Sequence, residues 1–398
     1  MNKFVIPFKN ETVSTVDIFC RILDNFGDIG VCWRLASLLT HTGRYSVRLW
    51  ISHPDILEKL LGKKLGHGNC LHHVKIFFWG PDCDFSAVAP ADIVIEAFAC
   101  ELPTAYRQRL LSNSKSKQIW INLEYLATEV WADACHGLVS PQPGGQNKFF
   151  YIPGFSGCCG GLLRMTDCSR YQRIGSRCLY DRKKFLRTVM LPDVLSEDRL
   201  WISLFYYDEI TALALLNFWI ESGFRAVVVL PGTAQNIRLW QAVSGVDADD
   251  ILRQGALKMY ILRNVVLLGM PFLTQSQYDR LLGCCDMNFV RGEDSFVQAQ
   301  WYGVPFVWQS YKQAEKGHLD KLYGFLDQFC EGMEDITAGA LRCFWLAWNG
   351  EGSVAEAWPD YQAHLPQIRD HCALWQKKQC ARKDLVTDLT DFIEKKLQ

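Results

Sequence analysis

Two tandem Rossmann-like α/β domains are the fold this sequence predicts. Three observations carry that expectation: the chain length, a strand–helix alternation that runs through the first half and restarts in the second, and candidate strands that are apolar on both faces. At 398 residues the chain exceeds the ~250–300 residues at which one hydrophobic core stops growing, so two domains are expected. In the first half, short β-branched and aromatic runs at Val16–Leu23, Ser46–Ser52, Val74–Trp79, Ile93–Phe98 and Ile119–Leu123 read as strands. Val31, Leu35, Leu38 and Leu39 recur at helical spacing, so Gly30–Thr40 reads as a helix packed on the sheet. Strands apolar on both sides and linked by helices indicate a parallel sheet covered on each face.

The stretch Ser140–Gly161 is rich in Pro and Gly and reads as turn chemistry closing the first domain. A basic helical segment is expected near Tyr180–Met190, after which the alternation resumes. Trp201–Tyr207, Ala226–Leu230, Asn264–Leu268, Met287–Val290 and Pro305–Trp308 read as strands, with helices near Ala212–Ser222 and Ser276–Cys284. The chain divides on this reading into residues 1–180, 181–365 and a helical segment 366–398.

Composition excludes several function classes. With 49% hydrophobic and 21% charged residues the chain has ample apolar surface for two cores. Lys and Arg number 42 against 43 Asp and Glu, which leaves no electrostatic footprint for duplex nucleic acid or an anionic membrane. The apolar stretches fall short of the roughly 20 residues of a membrane span, and the cluster Phe4–Phe8 is too brief for a secretory signal, so a cytosolic protein is expected. Sixteen scattered cysteines, among them Cys20, Cys100 and Cys343, read as reduced thiols, and their spacing does not support zinc.

Two segments carry the chemistry. Asp24, Asn25, Phe26, Gly27, Asp28, Ile29 and Gly30 follow the first strand, where ligands of open α/β sheets bind. Its carboxylates would repel a pyrophosphate and suit a cation or a proton, while helix capping by Asp28 is the bland alternative. Arg291, Gly292, Glu293, Asp294 and Ser295 follow a strand and open a helix, which is an anion site: unpaired N–H groups beside an arginine fork. A capping box of Ser295 and Gln298 is compatible with that use. Phe205, Tyr206, Tyr207, Phe272 and Gln275 offer an aromatic face and an amide of the kind that holds a nucleobase, although strand-end aromatics are more often core. Asp247, Ala248 and Asp249 imitate a metal-binding D-x-D but read as a solvated turn.

The run Asp17–Arg34, the run Arg291–Val297, and the shorter runs Asn122–Leu126, Ser140–Gln142, Pro271–Phe272 with Gln275, and His318–Leu322 occur together in order. In these the chain resembles the elongation factor P arginine rhamnosyltransferases, the EarP family. That resemblance implies a GT-B fold, with the helical segment 366–398 crossing back to the first domain, dTDP-β-L-rhamnose as donor, an arginine of elongation factor P as acceptor, inversion at the anomeric carbon, and no metal. Position by position it implies Asp28 as general base with Asp24 and Glu293 as further essential carboxylates. Phe272 and Gln275 would hold the thymine, and Tyr207, Arg291, Asp294 and Ser295 the ribose and diphosphate, with Phe26, Gly27 and Phe205 completing the donor pocket. Tyr206 and a longer N-terminal stretch depart from the family pattern. The residues alone leave open a nucleotide-sugar transferase acting on a glycan or small molecule, or a noncatalytic module that binds a translation factor.

Overall fold

The computed structural model describes residues 13–22, 25–80, 83–112, 118–165, 182, 199–245, 258–312 and 316–397. The first domain contains β1 (Ser14–Cys20), α1 (Asn25–His41), β2 (Tyr45–Ile51), α2 (Pro54–Leu61), β3 (Cys70–Leu71), β4 (Val74–Phe78), β5 (Ile93–Ala97), α3 (Thr104–Ser112), β6 (Ile119–Leu123), α4 (Trp131–Cys135), β7 (Val139–Pro141) and β8 (Asn147–Tyr151). Its sheet runs β3-β4-β2-β1-β5-β6-β8-β7, parallel except for β3 and β7 at the edges. In the middle of the sheet Val16 lies opposite Val47 on one side and Ile93 on the other. All three are buried, as the apolar runs require.

The second domain contains β9 (Leu200–Leu204), α5 (Glu209–Ser222), β10 (Ala226–Leu230), α6 (Ala234–Ser244), β11 (Lys258–Leu262), β12 (Val265–Gly269), α7 (Gln275–Cys284), β13 (Met287–Arg291), α8 (Glu293–Gln300) and β14 (Phe306–Gln309). Its sheet order is β11-β12-β10-β9-β13-β14, with only β11 antiparallel. The helices α9 (Gly317–Phe329), α10 (Asp335–Trp348), α11 (Val354–Ala363), α12 (Leu365–Cys380) and α13 (Leu385–Leu397) follow. In both sheets the strand order reverses at the first strand, at β1 between β2 and β5 and at β9 between β10 and β13. Each reversal leaves a crevice beyond the carboxyl ends of the strands, so both domains offer their binding edge at that point.

Three expectations need correction. The helix after β1 begins at Asn25, so Asp28 lies inside its first turn and neither ends a loop nor caps the helix. The segment 140–161 is not only turns: β7 and β8 extend the first sheet, β8 pairing in parallel with β6. Its prolines and glycines occupy the hairpin between these strands and the exit from β8, and they mask the short aromatic run Phe149–Tyr151. The terminal segment 366–398 divides in two. In α12, Ile368, Cys372 and Trp375 stay in the second core. Leu385, Val386, Leu389 and Ile393 of α13 pack into the first. Only α13 makes that return, its apolar stripe Leu385, Leu389 and Ile393 being buried in the first core.

The expected basic helix near Tyr180–Met190 and the Asp247–Asp249 run lie outside the described residues apart from Arg182, which donates to the Cys284 carbonyl and pairs with Asp286 of the second domain at 2.8 Å. Of the three cysteines singled out above, Cys20 and Cys100 are buried and Cys343 is exposed. Among the described residues no helix is long and apolar enough to cross a membrane.

Candidate functional site

The site lies where the two binding edges meet. From the first domain comes the start of α1, carrying Phe26, Gly27 and Asp28, with Asp28 buried. Beside it the chain leaves β5 with left-handed backbone at Phe98 (φ 57°) and Ala99 (φ 50°). Such conformations are costly for non-glycine residues and cluster at functional edges. Here they present the Phe98 ring to Tyr125, which stacks on it at 4.4 Å. The Tyr125 hydroxyl donates to Asp28 Oδ1 at 3.3 Å.

From the second domain come three loops. β9 leads into Phe205–Tyr207, where the Phe205 and Tyr207 rings flank the Arg291 guanidinium at 4.1 and 4.7 Å from their centroids, while Arg291 donates to the Tyr206 carbonyl at 2.7 Å. Tyr206 itself turns inward, is buried, and donates its hydroxyl to the Gln235 carbonyl at 3.0 Å. Its bulk is absorbed by the core of the second domain. The second loop brings Phe272 and Gln275. A capping box of Thr274 and Gln277 starts α7 at Gln275, which fixes where that side chain projects.

The third is the turn from β13 into α8. Gly292 (φ 64°) lets the strand pass directly into the helix. The Ser295–Gln298 capping box does not form: Ser295 donates to the Arg291 carbonyl and Gln298 to that of Leu163 at 3.1 Å. Glu293 and Asp294 occupy the first helical turn, where the helix dipole favours acidic side chains.

An open cleft between the domains is lined by Phe26, Gly27, Phe205, Tyr207, Phe272, Gln275, Arg291, Asp294 and Ser295. These are all nine residues expected to hold a nucleotide sugar. Phe26 and Phe272 pack against each other on its wall, with ring centroids 5.2 Å apart and planes tilted by 42°.

Two carboxylates adjoin its lining in the chain: Asp28 follows Gly27, and Glu293 lies between Gly292 and Asp294. Glu293 accepts from Leu126 N–H at 2.8 Å and from Lys321, while the adjacent Tyr125 reaches Asp28. Consecutive residues of one loop thus bind acids from opposite domains. Burial raises the Glu293 carboxyl pKa; Lys321 and the Leu126 N–H oppose that, the Asp28 charge adds to it, and the net shift is upward. Asp24, the third expected carboxylate, lies outside the described residues. Asn122 donates both to the site loop, through Glu124, and accepts from Ala99 N–H at 3.2 Å, so it braces the two loops. Burial raises the Glu124 pKa, against its Asn122 and Lys148 contacts and helped by Glu96.

Sequence reading missed a buried arginine that bonds across the domains. Arg34 of α1 is 2% exposed and donates to both oxygens of Asp279 at 2.7 and 2.8 Å and to Asp294 Oδ1 at 2.7 Å. Burial alone would lower its pKa, but the two carboxylates more than offset that. The other Asp294 oxygen accepts from Gln275 at 2.9 Å, and Gln275 also donates to the Gly30 carbonyl at 3.1 Å. A Cβ on Gly30 would sit 2.8 Å from Asp294 Oδ2, so only glycine permits this approach. The available signal was an arginine lying on the same helical face as Val31, Leu35 and Leu38, since a charge within an apolar stripe needs a buried partner. Tyr125 and Lys321 lay within runs already singled out, and nothing in their spacing gave them a role.

With this geometry in place, the comparisons with known proteins are specific. The family model described as Elongation-Factor P (EF-P) rhamnosyltransferase EarP matches residues 16–394. A protein-arginine rhamnosyltransferase of Pseudomonas aeruginosa is 39% identical over 380 residues, covering 94% of this chain and 98% of its own. One from Pseudomonas putida is 36% identical over 392 residues, covering 96% and 100%. The solved structure described as the basis for EarP-mediated arginine glycosylation of translation elongation factor EF-P superposes with a TM-score of 0.65 at 26% identity, covering 96% of this chain and 99% of that one. The glycosyltransferase VinC in complex with dTDP superposes at 0.50 with 11% identity over 96% and 99% of the two chains, which shows a shared fold. That fold, two Rossmann-like domains facing each other across a cleft, is GT-B.

Proposed function

This chain belongs to the elongation factor P rhamnosyltransferase family, EarP, and is a glycosyltransferase; from that premise we propose that it moves L-rhamnose from dTDP-β-L-rhamnose onto an arginine of elongation factor P, with inversion and without a metal, in the cytoplasm. The observation that supports the reading is that the adjacent residues Tyr125 and Leu126 bond Asp28 and Glu293, acids from opposite domains whose charges act on each other, beside a cavity that holds the Arg291 turn.

An arginine guanidinium is a poor nucleophile because it is delocalised and stays protonated. Paired carboxylates address this. Asp28 and Glu293 would bind the guanidinium by charge-assisted hydrogen bonds and orient one nitrogen behind the anomeric carbon. As the C–N bond forms and the bond from the anomeric carbon to the diphosphate oxygen breaks, Asp28 takes the proton from nitrogen, so free guanidine never accumulates. The bonding electrons leave with dTDP. Arg291, held between Phe205 and Tyr207, and the N–H groups opening α8 would take up that charge. The Phe26–Phe272 pair supplies apolar faces suited to the thymine ring.

The direct test is mass spectrometry of elongation factor P incubated with the protein and dTDP-rhamnose. A deoxyhexose increment on one arginine is expected, and an unmodified acceptor rejects the proposal. Arg291→Ala should weaken dTDP binding about 10- to 100-fold in calorimetry, the size of a lost charge-assisted contact; unchanged affinity would place the diphosphate elsewhere.

The pH profile offers a third check. Glu293 acts ionised, and Lys321 favours that ionised form. Lys321→Met therefore raises the carboxyl pKa further, and the acidic limb of kcat/KM for the acceptor moves to higher pH. Lys321→Arg should leave that limb near its wild-type position.

A further inference from the structure

Two side chains of the donor cleft take their orientation from the opposite domain. Asp294 and Gln275 belong to the second domain, on α8 and α7, and both line the cleft. Among the described residues neither side chain has a hydrogen-bond partner in its own domain except the other, through Gln275 Nε2 and Asp294 Oδ2 at 2.9 Å. Their remaining bonds cross to α1. Asp294 Oδ1 accepts from Arg34 Nε at 2.7 Å, and Gln275 Nε2 donates to the Gly30 carbonyl at 3.1 Å. The joint leaves no room: a Cβ on Gly30 would lie 3.1 Å from Gln275 Nε2 as well as against Asp294.

The joint fixes polarity as well as place. An amide nitrogen carries two protons, and here they go to Gly30 and Asp294, so the atom that Gln275 can offer a ligand is Oε1, an acceptor. A flipped amide would set that oxygen against two other acceptors. The imide N3–H of thymine is a donor and matches Oε1. Charge depends on the same joint, because Arg34 is one cation serving two acids. Burial raises the Asp279 pKa, Arg34 opposes that, and the Asp294 charge adds to it. Without the guanidinium, Asp294 would stand uncompensated in the turn that receives a diphosphate, and like charges repel.

We infer that Arg34 and Gly30 are positioning residues for the donor nucleotide: from the first domain they hold the Asp294 carboxylate and the Gln275 amide, so the donor pocket is complete only while the two domains are joined. The inference rests on the proposed function for the identity of that nucleotide. A tie that merely joined the domains would need only Asp279, which takes two of the three Arg34 bonds and does not line the cleft.

The test measures dTDP affinity by calorimetry and stability by denaturant unfolding for the wild type, Gly30→Ala, Arg34→Leu/Asp279→Leu and Asp279→Asn. Gly30→Ala crowds the joint and leaves every charge paired, and alanine is favoured over glycine within a helix, so the variant keeps its fold. It and the double variant should each weaken dTDP binding at least about tenfold, the size of a lost charge-assisted contact, whether or not stability changes. Asp279→Asn keeps the Arg34 bond to Asp294 and should bind dTDP within about threefold of wild type, whatever it loses in stability. A Gly30→Ala affinity within about threefold of wild type overturns the inference, even where the double variant fails to fold. So does an Asp279→Asn loss as large as that of Gly30→Ala, since the effect would then follow the tie to α7. Either result leaves the proposed function intact, because transfer to elongation factor P is measured separately. A wild type that does not bind dTDP overturns both.

Discussion

Replacing Asp28 with Asn is expected to leave dTDP affinity within a few-fold of wild type while turnover falls by about 10²–10⁴, the range for losing a general base. The separation follows from placement. Asp28 is on the first-domain side of the cleft and bonds Tyr125. It is not among the residues lining the cavity that holds Arg291 and Phe272. Asn keeps the size and the capacity to accept from Tyr125, so neither packing nor the loop should change. What it lacks is a site for the proton. Single-turnover kinetics at saturating donor, set beside calorimetric titration with dTDP, measure the two effects independently. Equal turnover would remove Asp28 from the chemistry, and a large loss of dTDP affinity would give it a part in donor binding.

The second large effect is expected at Arg34. Arg34→Leu removes a cation with three hydrogen bonds to Asp279 and Asp294 and leaves both acids without their counter-charge. Breaking a buried pair on one side costs about 3–5 kcal/mol, because the abandoned charge keeps its desolvation penalty. Asp279 and Asp294 retain 20% and 14% exposure, so the lower end of that range is expected. Denaturant unfolding measures it directly. The companion variant Arg34→Leu/Asp279→Leu should recover a substantial part of the stability, since the pair is then replaced by apolar contact. It should not recover turnover. Asp294 still lacks its Arg34 bond, and α1, which carries Asp28, loses its tie to α7. A single variant with wild-type stability would show that the domains are held together by something else, the apolar return of α13 being the leading candidate.

The two variants also separate what was readable in the chain from what was not. The β1 and β9 strands, their helices and the doubling of the α/β pattern were legible because runs such as Val227–Leu230 and Leu267–Leu268 are apolar regardless of context. Edge strands were not. The strand β11 buries little, its pattern alternating between partly buried and exposed, and β7 ends in Pro141, so each lacks the both-faces signal of a central strand. Asp28 and the Arg291–Ser295 turn were legible because chemistry-bearing residues sat directly after a strand, where a parallel sheet binds its ligands. Tyr125 was not, since its role is a hydrogen bond to a residue 97 positions away.

By itself the sequence determined the layer architecture, the two strand-end segments that carry acids and an arginine, and the family to which those segments belong; each is a property of residues close together in the chain. Only the tertiary structure decided that one loop bonds both Asp28 and Glu293, that Arg34 bridges to α7 and α8, and that the return to the first core is made by α13 while α12 stays in the second. The physical reason is that a carboxylate's partner is chosen by distance in space. Pairs such as Arg34 with Asp294, 260 residues apart, leave no periodic trace in the chain and exist only where the two domains pack together.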